Sequence, residues 1–227
     1  MKYLHHHLGL GDCFTCNSIV RHYYSLDNEL TIFCKESYLE NVRYMYTDLP
    51  NLRIISVKTD SDAESYVYQN NLRDSYIRVG FEDVSKLVGV CDTFDEAFYV
   101  SAKIPFESRF DKHYIPRNID KEKEIYNELN PNNEPFIFIH EDKDRGMRLD
   151  RNRIRKDLKI IENNKKYLVV DLIYLLENAQ EIHIMQSALK DLINFYKLSG
   201  KCFLHNYVRG YDSYANTKGL NEFEILY

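Results

Sequence analysis

Asp12 follows Gly9-Leu10-Gly11 near the start of the chain, where a strand-like run gives way to a helical one. Two glycines two apart let the backbone turn tightly and leave the first N–H groups of the helix facing a crevice. A carboxylate at or beside the N-cap is stabilised by those groups and by the helix dipole. In a ligand crevice it can act as a general base. Capping alone is the competing role for Asp12.

The second half of the chain holds two candidate anion sites. Residues 143–156 carry Lys143, Arg145, Arg148, Arg151, Arg153, Arg155 and Lys156 against Asp144 and Asp150, seven basic less two acidic, or +5 in a chain of net −5. The run starts where a strand, Phe136-Ile137-Phe138-Ile139, gives out at His140. Arg145 beside Gly146 is the best-placed phosphate ligand there, since glycine admits a close backbone and arginine binds two oxygens at once. The alternative is a solvated face that offsets acids elsewhere. Gln186-Ser187-Ala188 sits at a strand-to-helix junction, where a small hydroxyl and free N–H groups form a phosphate cradle. Its alternative is a simple N-cap at Ser187. Two such sites in one half make a diphosphate more plausible than either site does alone.

Three other patterns compete. Cys13-Phe14-Thr15-Cys16 after a strand has the spacing of a thiol–disulfide oxidoreductase, in which a helix N-terminus lowers a thiol pKa. His5-His6-His7 alternate along a strand, so at most two share a face, and no further ligand cluster of suitable spacing follows; no metal is expected. His140 is either a site residue or a structural histidine. A Gly-x-Ser-x-Gly elbow and a Gly-Lys-Ser/Thr phosphate loop are absent, and the third glycine position of a dinucleotide fingerprint is Phe14.

The elements that must position these residues alternate. A strand ending near Leu8 is followed by a helix, Cys13 to Ser25, and a strand, Leu30–Cys34. A helix from Ser37 to Tyr46, with Ser37 and Glu40 in capping-box spacing, leads to a strand at Leu52–Val57. A helix at Ser61–Asn70, a strand at Ser75–Gly80 and a helix at Phe94–Ala102 complete the first half. Residues 104–110 read as an irregular connector, followed by a polar helix, Lys121 to Leu129. Asn130-Pro131-Asn132-Asn133-Glu134-Pro135 is the clearest break, which puts the boundary within residues 106–134. Strands at Phe136–Ile139, Leu158–Ile161, Glu181–Met185 and Cys202–His205 alternate with helices at Val169–Ala179 and from Gln186 to about Tyr196. This rhythm is that of parallel sheets wound with helices.

Composition bounds the function. With 227 residues, 44% hydrophobic and 29% charged, the sequence describes an ordinary globular chain. Its apolar runs, such as Ile173-Tyr174-Leu175-Leu176, fall far short of a membrane span, and its first residues lack a signal-peptide pattern. Five cysteines, an odd number, read as reduced, so a cytoplasmic protein is expected. Net charge −5 argues against a general nucleic-acid binder.

With these motifs in view, the chain resembles small GT-B-type glycosyltransferases. Leu8-Gly9-Leu10-Gly11-Asp12, with Asn17 and Arg21, is similar to the N-terminal Gly-Asp turn of heptosyltransferase-like enzymes. Phe136 to His140 with Arg145-Gly146 resembles the opening of the donor domain in fucosyltransferase-like members. Glu177-Asn178-Ala179-Gln180-Glu181-Ile182-His183 with Gln186-Ser187-Ala188 resembles the segment that grips the nucleotide diphosphate there. Two departures stand out: consecutive hydroxyl residues are missing at 186–188, and one arginine stands at 145 in place of a pair.

The resemblance implies an α/β fold of two Rossmann-like domains whose parallel sheets face a central cleft. Residues 1–115 would form the acceptor side and residues 116–227 the nucleotide-sugar side. It implies transfer of a sugar from a nucleotide-diphosphate donor to a hydroxyl acceptor such as a glycan, inverting, without metal or other cofactor. Asp12 is then the expected base, with His140 as a second catalytic candidate. Binding residues are expected at Gly9, Gly11, Asn17 and Arg21 in the first half. In the second half they are expected at His140, Lys143, Arg145, Gly146, Gln186, Ser187, Ala188 and Arg209. A non-catalytic nucleotide- or sugar-phosphate-binding module and the Cys13/Cys16 oxidoreductase remain the alternatives.

Overall fold

Strands β1 (Tyr3–His6) and β5 (Phe136–Ile139) are buried at every residue, whereas β3 (Leu52–Val57), β6 (Lys159–Glu162) and β9 (Phe223–Leu226) are only partly so. Strands covered on both faces sit at the centre of a parallel sheet, and partly exposed ones at its edges. The computed structural model describes residues 1–81, 91–163, 166–210, 217 and 219–227. Packing divides the chain into two units, Met1–Pro116 and Arg117–Tyr227.

The first unit has a four-stranded sheet of order β3-β2-β1-β4, with β2 at Leu30–Lys35 and β4 at Tyr76–Val79. All its pairings are parallel, with Tyr3 opposite Thr31 on one side and Tyr76 on the other. Helices α1 (Leu10–Thr15), α2 (Asn17–Asp27), α3 (Leu39–Met45), α4 (Asp60–Gln69), α5 (Phe94–Ala102) and α6 (Ser108–Asp111) connect or flank the strands. One face is filled by Tyr3, Leu8, Phe33, Val57, Ala63 and Val67.

Helix α4 starts on a capping box, in which Thr59 Oγ1 accepts from the Asp62 N–H while Asp62 accepts from the Thr59 N–H. Such a cap contributes about 1 kcal/mol. The box expected at Ser37 and Glu40 does not form, because Glu36–Tyr38 is a 3-10 turn and α3 begins only at Leu39. The single helix expected over residues 13–25 is two, broken at Cys16, which ends α1 and caps α2 with a backbone outside the helical range (φ −85°, ψ 2°). The stretch at 104–110, expected to be irregular, leads into the short helix α6.

The second unit has a five-stranded parallel sheet of order β6-β5-β7-β8-β9, with β7 at Glu181–Ile184 and β8 at Lys201–His205. Helices α7 (Ile119–Leu129), α8 (Ile173–Glu177) and α9 (Ala188–Ile193) accompany it. The expected helix at 169–179 divides into a 3-10 turn, Val169–Leu172, and α8, while α9 stops at Ile193. Ile137, Ile139, Leu149, Ile154 and Met185 form a core cluster of this unit. Arg117 is anchored by Glu122, whose side chain is buried, and by Glu177 (2.6 and 2.7 Å).

Candidate functional site

In an open parallel sheet, ligands bind beyond the carboxyl ends of the strands where the strand order changes direction. That point lies between β1 and β4 in the first unit and between β5 and β7 in the second.

After β1, Gly9 is the N-cap of α1 and has an extended backbone (φ −64°, ψ 144°). Asp12 is the third helical residue and not the cap. Its carboxylate folds back over Gly9, where an added Cβ would come 2.5 Å from Oδ2. Gly9 therefore leaves room for the Asp12 carboxylate, which a side chain there would displace, and does not serve a left-handed turn. Gly11 lies inside α1. Across the switch point, His7 Nε2 lies 2.8 Å from the Gly80 carbonyl oxygen, and its ring lies 4.2 Å from that of Phe81.

Asn17 and Arg21, expected in the site, are built into the scaffold of the first unit. Asn17 is fully buried, and its Oδ1 accepts from the Tyr114 N–H at 3.0 Å. Arg21 forms a fork on Asp48 (2.8 and 2.9 Å), donates to the Tyr114 and Met45 carbonyls, and lies over the rings of Tyr46 and Tyr114. The histidine run does not gather ligands either. His5 is held between Tyr76 Oη and Asp60, His6 Nδ1 donates to the His7 carbonyl, and His7 meets Gly80. Among the described residues no group of three His, Cys, Asp or Glu side chains could hold a metal ion.

Cys13 and Cys16 are buried and free, and burial, reinforced by the Asp12 carboxylate, pushes both thiols well above their ordinary pKa. A redox-active CxxC needs the opposite shift. This geometry counts against the oxidoreductase reading.

In the second unit, His140 follows β5, and its Nδ1 accepts from Asn163 Nδ2 at 2.8 Å. Burial pushes its pKa down to about 4, so the ring is neutral and carries its proton on Nε2. The adjoining loop is a tight turn in which Asp142 and Met147 exchange backbone hydrogen bonds of 3.2 and 2.9 Å. Gly146 closes the turn at φ +72°, and a Cβ there would meet nothing within 4 Å, so glycine serves the backbone angle and not a close approach. Arg145 pairs with Asp142, and Lys143 with Glu162. Arg148, Arg151, Arg153 and Arg155 likewise meet Glu141, Glu162, Asp150, Asp157 or Glu181. The basic run is thus largely a neutralised face.

Ser187 is the N-cap of α9, yet its side chain makes no capping bond, and its buried Oγ has no hydrogen-bond partner among the described residues. Ala188 and Lys190 are the first and third residues of α9, and Lys190 is 1% exposed. Arg209 donates to the Gln186 carbonyl at 2.9 Å, and Gln186 Nε2 donates to Asn206 Oδ1. Lys190, Asn163 and Asn206 were not among the expected residues. A lysine three positions after Ser187 was the available signal for the first. A cavity of about 390 Å³ lined by Arg155, Gln180, Glu181 and Lys201 lies at the amino ends of β7 and β8, away from Ser187.

No family model and no curated protein matches the sequence. Solved structures do. The ADP-heptose lipopolysaccharide heptosyltransferase II of E. coli is similar over 100% of this chain and 90% of its own, at TM-score 0.54 and 10% identity. A glycosyl transferase family 9 protein from Veillonella parvula is similar over 99% and 86%, at TM-score 0.57 and 7% identity. The likeness is one of fold: two parallel α/β units of GT-B type. Among the described residues no helix is long and apolar enough to cross a membrane.

Proposed function

We propose that the chain is a glycosyltransferase that moves a sugar from a nucleotide-diphosphate donor, bound by the second unit, to a hydroxyl acceptor bound by the first. The observation that carries this reading is the buried Ser187 hydroxyl at the β5/β7 switch point, which has no partner among the described residues, in a chain whose fold is shared end to end with a heptosyltransferase. A buried hydroxyl without a partner costs free energy unless a ligand completes it. With Lys190 and Arg209 on the same β7–α9 and β8 turns, the group that completes it is anionic. Arg145 and Lys143, on the loop after β5, reach a diphosphate by exchanging their carboxylate partners for its oxygens. The neutral Nε2–H of His140 adds a donor that bears no charge.

Asp12 deprotonates the acceptor hydroxyl, which attacks the anomeric carbon with inversion as the nucleotide diphosphate departs. The cationic side chains of the second unit stabilise that leaving group, and the reaction is proposed to need no metal. Asp12→Asn should abolish transfer while leaving donor affinity nearly unchanged. Full activity in that variant would remove Asp12 from the mechanism. The experiment is a thermal-shift panel of nucleotide diphosphates and nucleotide sugars, followed by transfer assays with the donor it identifies. A donor that binds but is transferred to no acceptor would instead point to a binding module.

A further inference from the structure

Glu181, His183, His205 and Tyr207 form one continuous hydrogen-bond chain through the second unit. Glu181 Oε2 lies 3.2 Å from His183 Nε2, His183 Nδ1 lies 2.9 Å from His205 Nε2, and His205 Nδ1 lies 2.7 Å from Tyr207 Oη. Tyr207 Oη also accepts from the Asp150 N–H at 2.7 Å. Both histidines are buried, whereas Tyr207 is 38% exposed just beyond the carboxyl end of β8. At the other end, Glu181 opens β7 and lines the cavity at its amino end. The chain therefore runs from one end of the strands to the other.

Only one arrangement of protons satisfies it at rest. An ionised carboxylate can only accept, so His183 carries its proton on Nε2 and accepts at Nδ1. His205 must then donate from Nε2 and accept at Nδ1, and Tyr207 must point its O–H inward. That leaves the Tyr207 lone pairs for the Asp150 N–H, as observed, and for one group outside.

We infer that these four residues are a directional proton relay, which accepts the proton of a ligand O–H group bound at Tyr207 and passes it to Glu181 at the far end of the strands. The ligand O–H bond breaks and its proton forms a new O–H bond on Tyr207. Tyr207 gives its own proton to His205 Nδ1, His205 gives its Nε2 proton to His183 Nδ1, and His183 gives its Nε2 proton to Glu181. Every ring stays neutral before and after, each hydrogen bond re-forms with its direction reversed, and the ligand is left as the anion. Water in the cavity beside Glu181 then receives the proton. The relay is independent of Asp12 and of the transfer reaction, and it stands or falls by its own test.

The charged groups around the chain are Glu224 on β9 facing His183, Arg153, Asp150 and Glu141 around His205, and Arg155 and Lys201 beside Glu181. The test is ¹⁵N NMR of histidine-labelled protein, full chain, as pH is lowered. At neutral pH both His183 and His205 should be Nε2–H tautomers. On acidification both should switch together to Nδ1–H while remaining neutral, before imidazolium appears. Glu181→Gln keeps the acceptor oxygen but cannot bind the proton, and Tyr207→Phe removes the last acceptor of the reversed chain. In each of these variants the Nε2–H forms should persist until imidazolium appears. Different tautomers in the two rings at neutral pH would overturn the relay, as would a wild type that ionises directly, like Glu181→Gln.

Discussion

The Asp12 carboxylate occupies the space that a side chain on Gly9 would need, with Oδ2 2.5 Å from the position of a Cβ there. The glycine and the acid are thus one feature, in which the first is small so that the second can fold back at the mouth of the first unit. Gly9→Ala should displace Asp12 and lower transfer at least tenfold while donor-induced thermal shifts stay within error. Unchanged turnover would mean that the position of Asp12 is not critical.

Arg21 is a scaffold residue by every contact it makes. Arg21→Ala should destabilise the first unit by about 2–4 kcal/mol, since it strands the Asp48 carboxylate and two carbonyls. Arg21→Lys should recover little of that, because an ammonium cannot reproduce the fork. Denaturant unfolding measures both. An unaltered midpoint together with weaker substrate binding would return Arg21 to the site.

Asp142 holds the Arg145 guanidinium in the resting protein. Asp142→Asn should release it and tighten nucleoside diphosphate binding by about three- to tenfold, while Arg145→Ala weakens it by a similar factor. Titration calorimetry with the diphosphate identified by thermal shift decides. If neither variant changes affinity, this loop has no part in donor binding.

Cys13 and Cys16 should be inert in the folded chain, since burial suppresses their thiolates. Alkylation by iodoacetamide at pH 8 should be at least a hundredfold slower at these two positions than in the urea-unfolded chain. A melting temperature insensitive to reductant should accompany it. Rapid labelling of either cysteine would revive the redox reading.

Stability should fall in mild acid. His6 and His205 are fully buried, and burial pushes each down to about 4 from an ordinary 6.5. Between those values the unfolded chain binds more protons than the folded one, so stability is complete above pH 6.5 and is lost as pH falls toward 4. Each histidine contributes on the order of 3 kcal/mol over that window. A urea midpoint that stays flat from pH 7 to 4.5 would contradict this, and His6→Gln should reduce the slope by about one proton.

Where an element is marked by its own residues, the sequence is a good guide. The bounds of β3, β5 and α5 coincide with the stretches Leu52–Val57, Phe136–Ile139 and Phe94–Ala102, of which Phe136–Ile139 is wholly apolar. The break at Cys16 has no glycine or proline to announce it, and β9 is a short edge strand with a glutamate in its middle. The Thr59 box carries aspartate where the usual pattern has glutamate. The basic run was misleading because acids flanking it or within it, Glu141, Asp142, Asp150 and Asp157, neutralise most of it, and Glu162 and Glu181 are brought alongside on β6 and β7 by strand pairing that no local pattern encodes. Gly9, Asp12 and Ser187 were legible because each sits at a junction between strand and helix. His183 and His205 show in the sequence as lone polar residues in apolar strands, but nothing there tells that they meet.

The parallel register of the first unit also sets when that unit can fold on the ribosome. Tyr3 pairs with Tyr76, so the sheet cannot close until β4 has left the tunnel, and its described strand pairings include no hairpin to serve as a local intermediate. Long-range pairings of this kind form slowly. At a translation rate of roughly 5–20 residues per second, the first unit has some seconds in which to fold while the second is still being made. A strand that is buried on both faces when native, β1, spends the earlier part of synthesis without the neighbours that cover it.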